Sequence, residues 1–241
     1  MTEPVRRLAW PDCRNVRDVG GLPTTDGGAV RVGALVRGDS PHRLTADGLA
    51  AVHVYGIRRV IDLRSAEEAQ AAPGPFVDDA MYQLRPMIDP RQEVRRDAAA
   101  ESTLELTYRA SLTRNASHIV AGVGAIADAP DGGVFVHCAS GKDRTGMVIA
   151  LALRVAGVTD AAIAADYAYT SVCLGDLVER ALAAAPSAAE RARLGEVWGA
   201  PPDAILAMLD RVDADFDGAE GYLRSYGLSD EQIERLRDRL R

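Results

Sequence analysis

The sequence predicts an α/β chain with a helical C-terminal part, and three observations carry that expectation. A helix-then-strand unit covers residues 45–63, a strand-loop-helix unit covers 133–156, and from residue 159 onward one helix start follows another. Alternating helix and strand marks a sheet with helices packed on its faces. At 241 residues the chain suffices for one substantial core and is short for two large ones. One domain over residues 1–241 is therefore expected.

Asn15 to Gly21 and Thr24 to Gly28 are rich in turn residues, and the apolar stretch Ala29 to Val36, up to Arg37, reads as short strands. Thr45 is placed to cap a helix that runs to about Tyr55 and ends at Gly56. Arg59 to Leu63 has the apolar density of a buried strand, which puts Asp62 at its C-terminal end. Ser65 and Glu68 stand at capping-box spacing, so a helix begins at once, and Pro73-Gly74-Pro75 breaks it. From Val77 to about Glu101 the sequence is mixed and carries prolines, and the region 77–116 reads as a loop or lid insertion. A long amphipathic helix ending near Ala129 is expected after it. Asp131-Gly132 turns the chain into a second buried strand, Gly133 to His137, and Thr145 to Ala156 is an apolar helix closed by Gly157. Thr159 with Asp160, Ser187 with Glu190 and Ser229 with Gln232 start further helices.

Hydrophobic residues at 47% and charged residues at 26% give the balance of a soluble globular protein. A net charge of -7 argues against a nucleic-acid binder, which needs an excess of Lys and Arg to displace counterions. Residues 1–10 contain no apolar stretch resembling a signal peptide. The most apolar run, Met147 to Val158, is interrupted by Arg154 and falls short of the ~20 residues of a membrane-spanning helix. No integral membrane segment and a cytoplasmic setting follow as expectations. Cys13, Cys138 and Cys173 are odd in number and widely spaced, and His42, His53 and His118 are scattered. Neither a disulfide framework nor a metal site is indicated, and no cofactor is expected.

The chemistry lies in His137-Cys138-Ala139-Ser140-Gly141-Lys142-Asp143-Arg144-Thr145-Gly146, which sets a cysteine at a strand's end and an arginine at a helix's start. A loop entering a helix turns backbone N–H groups inward and forms an anion nest reinforced by the helix dipole. A dianionic phosphate fits there, held by the backbone of Ala139, Ser140, Gly141, Lys142, Asp143 and Arg144. The same field favours a thiolate, the form in which a cysteine attacks. Arg144 offers a planar fork for two phosphate oxygens that lysine cannot reproduce. Thr145 is placed to hydrogen-bond Cys138, and His137 to brace the loop backbone. The alternative for Cys138, an inert buried cysteine, leaves Arg144 and the glycines without a purpose. Leaving-group protonation is worth ~10²- to 10⁴-fold, and Asp143 within the loop or Asp62 at the neighbouring strand end could supply it. Each has a plainer reading as well, Asp143 in an ion pair with a basic neighbour and Asp62 in one with Arg64.

This decapeptide resembles the signature of protein tyrosine phosphatases. More narrowly, the chain is similar to the bacterial tyrosine-protein phosphatase family with mycobacterial members, through Asn15-Val-Arg-Asp-Val-Gly-Gly, Arg37, His42-Arg43-Leu44-Thr45, Ile61-Asp62-Leu63-Arg64-Ser65, Ala165-Asp166-Tyr167 and Gly221-Tyr222-Leu223-Arg224. The resemblance implies a protein tyrosine phosphatase fold with a central, mostly parallel sheet flanked by helices, a cysteinyl-phosphate intermediate and no metal. It implies phosphotyrosine as substrate, with phosphoserine, phosphothreonine and phosphoinositides as further classes, hence a phosphorylated protein or phosphoinositide as partner. Lys142 and Asp143 are the feature shared with lipid-active members, so Lys142 is open to two roles: contact with a second inositol phosphate, or support of the field at the nest. A phosphoinositide-selective enzyme is the alternative. A rhodanese or arsenate reductase would not need the Lys-Asp-Arg-Thr continuation, and a non-catalytic phosphate-binding module would not need both Cys138 and Arg144.

Overall fold

A computed structural model describes residues 6–241, so residues 1–5 of the N-terminal stretch read above lie outside the described residues. In chain order the elements are β1 (Arg6–Arg7), β2 (Arg17–Asp18), β3 (Leu35–Gly38), α1 (Ala46–Val54), β4 (Ile57–Asp62), α2 (Ala66–Ala71), β5 (Tyr82–Leu84) and α3 (Pro90–Glu93). There follow α4 (Leu104–Arg114), α5 (Ala116–Ala127), β6 (Gly133–His137), α6 (Asp143–Val155), α7 (Asp160–Cys173), α8 (Gly175–Ala183), α9 (Ala188–Trp198), α10 (Pro202–Phe216), α11 (Gly218–Ser225) and α12 (Asp230–Leu240). The expected α/β class with a helical C-terminal part is what forms. No helix among the described residues is long and apolar enough to cross a membrane.

Six strands make one sheet in the order β1-β2-β3-β6-β4-β5. The two pairings at the β1 edge are antiparallel, and β3, β6, β4 and β5 run parallel. Side chains alternate across a strand, and β6 shows the consequence. Val134 and Val136 face the larger core built with α5, α6 and the C-terminal helices, while Phe135 faces a smaller one with Trp10, Val36, Val52 and Val60. Trp10 meets Phe135 edge to face, with ring centroids 5.2 Å apart. A sheet buried on both faces needs continuous apolar strands, which is why β6 reads as an unbroken run.

The caps read from the sequence form. Thr45, Thr159 and Ser187 accept from the backbone N–H three residues on, and Ser65/Glu68 and Ser229/Gln232 close reciprocal capping boxes. Two expectations need correction. The long helix expected to end near Ala129 is two helices, because the buried Asn115 side chain binds outside the helical ladder, accepting from Asp89 N–H and donating to Glu93 and Ser111. The apolar stretch from Ala29 yields a strand only from Leu35, since Gly33 takes a left-handed φ of +81° just before it. The region 77–116 contains β5, α3 and α4, and its Met87, Tyr108 and Leu112 belong to the larger core, so it is built into the body of the fold.

Candidate active site

Register decides where the loop lies. Gly38 and Asp62 are both Cα partners of His137, so β3, β4 and β6 end level and their continuations leave the sheet at one edge. In open α/β sheets this carboxyl edge is where ligands bind. Cys138 lies there, 2% exposed, with α6 starting at Asp143.

Four successive carbonyls of the loop are tied to its frame. Cys138 O accepts from His137 Nδ1 at 3.3 Å, Ala139 O from Ser40 N–H at 3.1 Å, Ser140 O from Asn15 Nδ2 at 2.9 Å and Gly141 O from Arg37 at 2.7 Å. In a trans peptide the N–H points opposite to the preceding carbonyl. Pinning these carbonyls outward therefore turns the N–H groups of Ala139, Ser140, Gly141 and Lys142 inward. Among the described residues none of the four has a hydrogen-bond partner. Concave backbone N–H groups at a helix N-terminus form an anion site. Gly141 makes the curvature possible: its φ is +69°, and a Cβ there would lie 2.3 Å from the carbonyl of Gly38.

The frame is held by a buried ion hub. Asp166 on α7 takes Arg17 on one oxygen at 2.7 Å and Arg37 on the other at 2.6 Å. All three side chains are within about one per cent of full burial, and two cations on one carboxylate hold it ionised against the cost of burial. Arg17 also donates to Asn15, and Arg37 to the loop, so the hub sets two of the four carbonyl anchors.

Arg144 is the second residue of α6. Its NH1 and NH2 donate to the two oxygens of Glu68, at 2.5 and 2.9 Å. Burial works against the Arg144 charge, yet the Glu68 bonds and nearby Cys138 raise its pKa above the ordinary arginine value. Glu68 grips the end of the guanidinium and leaves the Nε side of the fork for another anion. The carboxylate that caps α2 thus also fixes the plane of Arg144.

Asp62 is fully buried, with Arg64 bound at both oxygens and Tyr82 donating to Oδ2 at 3.0 Å. Although burial raises its pKa, the Arg64 bonds hold the carboxyl below the usual range. His137 is also buried, stacked on Phe135 and 3.8 Å from Asp62; burial depresses its pKa to about 4, so it is neutral at pH 7. Its Nδ1 bond to Cys138 O ties the ring to the loop backbone. The bond expected between Thr145 and Cys138 is not made; Thr145 Oγ1 is buried without a hydrogen-bond partner among the described residues.

Lys142 and Asp143 part company. The Lys142 side chain is 2% exposed, and its ammonium donates to Val197 O at 2.5 Å and Gly199 O at 2.8 Å, the C-terminal end of α9. A direct contact of that ammonium with a second substrate phosphate is at odds with this burial. Asp143 is 41% exposed, with Oδ1 receiving the Tyr108 hydroxyl at 2.5 Å and lying 3.3 Å from Lys142 Nζ.

The sequence model of the tyrosine phosphatase family matches residues 8–241. The chain belongs to the tyrosine phosphatase family. It is 31% identical to a tyrosine-protein phosphatase of Nostoc commune over 88% of this chain and 76% of that one. It is 29% identical to the triple specificity protein phosphatase PtpB of Mycobacterium tuberculosis over 97% of this chain and 98% of that protein. The enzyme is accordingly a phosphoric monoester hydrolase of the protein tyrosine phosphatase type, and the central, mostly parallel sheet is that family's fold.

The decapeptide runs from the end of β6 into the first turn of α6, and Asp62 stands beside it, 3.8 Å from His137. Sequence reading named Glu68 only as a cap and passed over Tyr108. Glu68 carried a usable signal: a carboxylate on the first turn after a strand whose C-terminal end adjoins the loop. Tyr108 lies thirty-five positions from Asp143 and carried none.

Proposed function

We propose that the enzyme hydrolyses phosphate monoesters through a phosphocysteine at Cys138, acting first on phosphotyrosine in proteins and also on phosphoserine and phosphothreonine. The observation that carries this reading is the set of four inward N–H groups above Cys138, made by four pinned carbonyls. Donors fixed in advance at a site of developing charge stabilise a transition state without reorganising. In the first step the thiolate attacks phosphorus, the S–P bond forms, the P–O ester bond breaks, and Asp143 gives its proton to the leaving oxygen. In the second, water attacks phosphorus, Asp143 takes its proton, the S–P bond breaks and phosphate leaves. Arg144 holds two phosphate oxygens on its Nε side throughout.

Exposure favours Asp143 over Asp62 as the acid: among the described residues Asp143 Oδ2 has no hydrogen-bond partner, whereas both Asp62 oxygens are occupied and out of solvent. Asp62 then serves by holding Arg64 and standing beside His137. Breadth toward phosphoserine and phosphothreonine is supported by the likeness to a triple specificity phosphatase. A phosphoinositide-selective enzyme is the weaker reading, because the Lys142 ammonium is bound to α9 carbonyls. Arsenate reduction has little support either: burial and Asp39 push the Cys13 thiol up to about 12, and burial raises Cys173, so neither is a ready resolving thiolate.

The test is release of phosphate from an aryl phosphate by wild type and Cys138→Ser, with vanadate as inhibitor, followed by phosphopeptides and phosphoinositides at matched concentration. Activity lost in the variant and blocked by vanadate supports the reading. A wild-type enzyme that releases no phosphate overturns it.

A further inference from the structure

Tyr108 is 2% exposed on α4, far from the loop in sequence, yet its hydroxyl lies 2.5 Å from Asp143 Oδ1 and 2.6 Å from the Tyr167 hydroxyl. We propose that Tyr108 is a positioning residue for the acid, fixing Asp143 so that Oδ2 delivers the proton, and thereby setting how far the enzyme acts on esters with poor leaving groups. The inference rests on Asp143 as the acid.

The direction of the chain follows from proton counting. A phenol carries one proton, and an ionised carboxylate only accepts. Tyr108 therefore donates to Asp143, and Tyr167 donates to Tyr108. Burial and the nearby Asp143 raise the Tyr108 pKa well above the usual phenol value, so the hydroxyl keeps its proton. A carboxylic acid protonated on Oδ2 still accepts at Oδ1, so the same bond holds Asp143 as acid in the first step and as base in the second. The anchor itself is rigid. The two rings meet edge to face at 85°, and Tyr167 lies so close to Gly146 that a Cβ there would come within 3.0 Å of its ring. Tyr167 directly follows Asp166, the carboxylate of the ion hub.

Without the Tyr108 bond, the remaining contact of Oδ1 is Lys142 Nζ at 3.3 Å, and the carboxyl is free to turn. Misplaced acids cost most where the leaving oxygen is most basic. Nitrophenolate departs almost unaided, whereas phenolate and the alkoxides of serine and threonine require the proton. Tyr108 thus bears on the breadth of substrates rather than on binding of the phosphate.

The experiment measures kcat and KM for wild type, Tyr108→Phe, Asp143→Asn and the double variant on nitrophenyl phosphate, phenyl phosphate and a phosphoserine peptide. For Tyr108→Phe the expectation is a kcat about tenfold lower on phenyl phosphate and the peptide and under about threefold lower on nitrophenyl phosphate, with KM and vanadate inhibition unchanged. In the Asp143→Asn background the second substitution adds nothing. Tyr167→Phe, which keeps Tyr108, should show the same leaving-group pattern more weakly and serves if Tyr108→Phe folds poorly. An equal loss on all three substrates, or losses that multiply in the double variant, overturns the role of Tyr108. If Asp143→Asn depends on the leaving group and neither tyrosine variant does, only this inference fails. If Asp143→Asn shows no such dependence, the acid assignment fails and takes this one with it.

Discussion

His137 makes the fold sensitive to acid in a window of its own. The ring is 1% exposed, and burial lowers its pKa from 6.5 to about 4 in the native state. Between those values the unfolded chain binds a proton that the native chain does not. Stability therefore falls as pH drops through 6.5 and continues to fall until the native ring protonates near 4. From pH 7 to pH 5 linkage gives a loss of about 2 kcal/mol from this one group. His137→Gln removes the titration. Urea unfolding of both proteins at the two pH values measures the difference, and the variant should lose about 2 kcal/mol less than wild type across the interval. Asp39 works in the opposite sense, since burial raises its carboxyl pKa and stabilises the fold as pH falls. It is common to both proteins and cancels in the comparison. Asp62, held below the usual carboxylate range, loses its contribution at lower pH than this window. Equal losses in wild type and variant would refute the account of His137 as a buried neutral brace.

Three further outcomes are expected. Glu68→Gln should lower kcat/KM about tenfold on aryl phosphates while changing stability by less than about 1 kcal/mol, because the ion pair with Arg144 is partly exposed and Gln can still cap α2; an unchanged kcat/KM would leave Glu68 as a cap alone. Gly141→Ala sets a Cβ 2.3 Å from the backbone of Gly38 at a φ of +69° and should cost more than about 3 kcal/mol in a urea melt together with nearly all activity. Lys142→Met removes two charge-assisted bonds to the end of α9, worth about 2 kcal/mol together, so hydrogen exchange at residues 195–199 should quicken at least tenfold.

Local chemistry was legible in the sequence and distant pairing was not. Ser65 with Glu68, Ser229 with Gln232 and the caps Thr45 and Thr159 are read within four residues, because a helix start is satisfied by its own next turn. The strand Gly133 to His137 declared itself because both its faces are buried. The break at Asn115 carried a weak local sign, a residue that competes for backbone bonds, but its partners Asp89 and Glu93 lie more than twenty positions back. Arg17, Arg37 and Asp166 entered only through resemblance to a family, since nothing in their surroundings says that residues 129 and 149 positions apart share one carboxylate. Tyr108 lacked even that.

The same contrast explains why the signature decapeptide is not the whole site. Of the four carbonyl anchors that turn the loop N–H groups inward, only the one from His137 comes from the decapeptide itself. The others come from Asn15, Arg37 and Ser40, all on or beside the strands β2 and β3. A loop with four inward donors and no such frame would turn those groups to water, since a backbone nest gains nothing by curling on itself. Two of the three outside anchors are in turn held by Asp166, through Arg37 directly and through Arg17 for Asn15. Loss of that one buried carboxylate, which touches neither phosphate nor nucleophile, would therefore loosen Ser140 and Gly141 together and leave Ala139 and Cys138 anchored. The loop would fail at its glycine end, next to Lys142 and Asp143, before it failed at its cysteine.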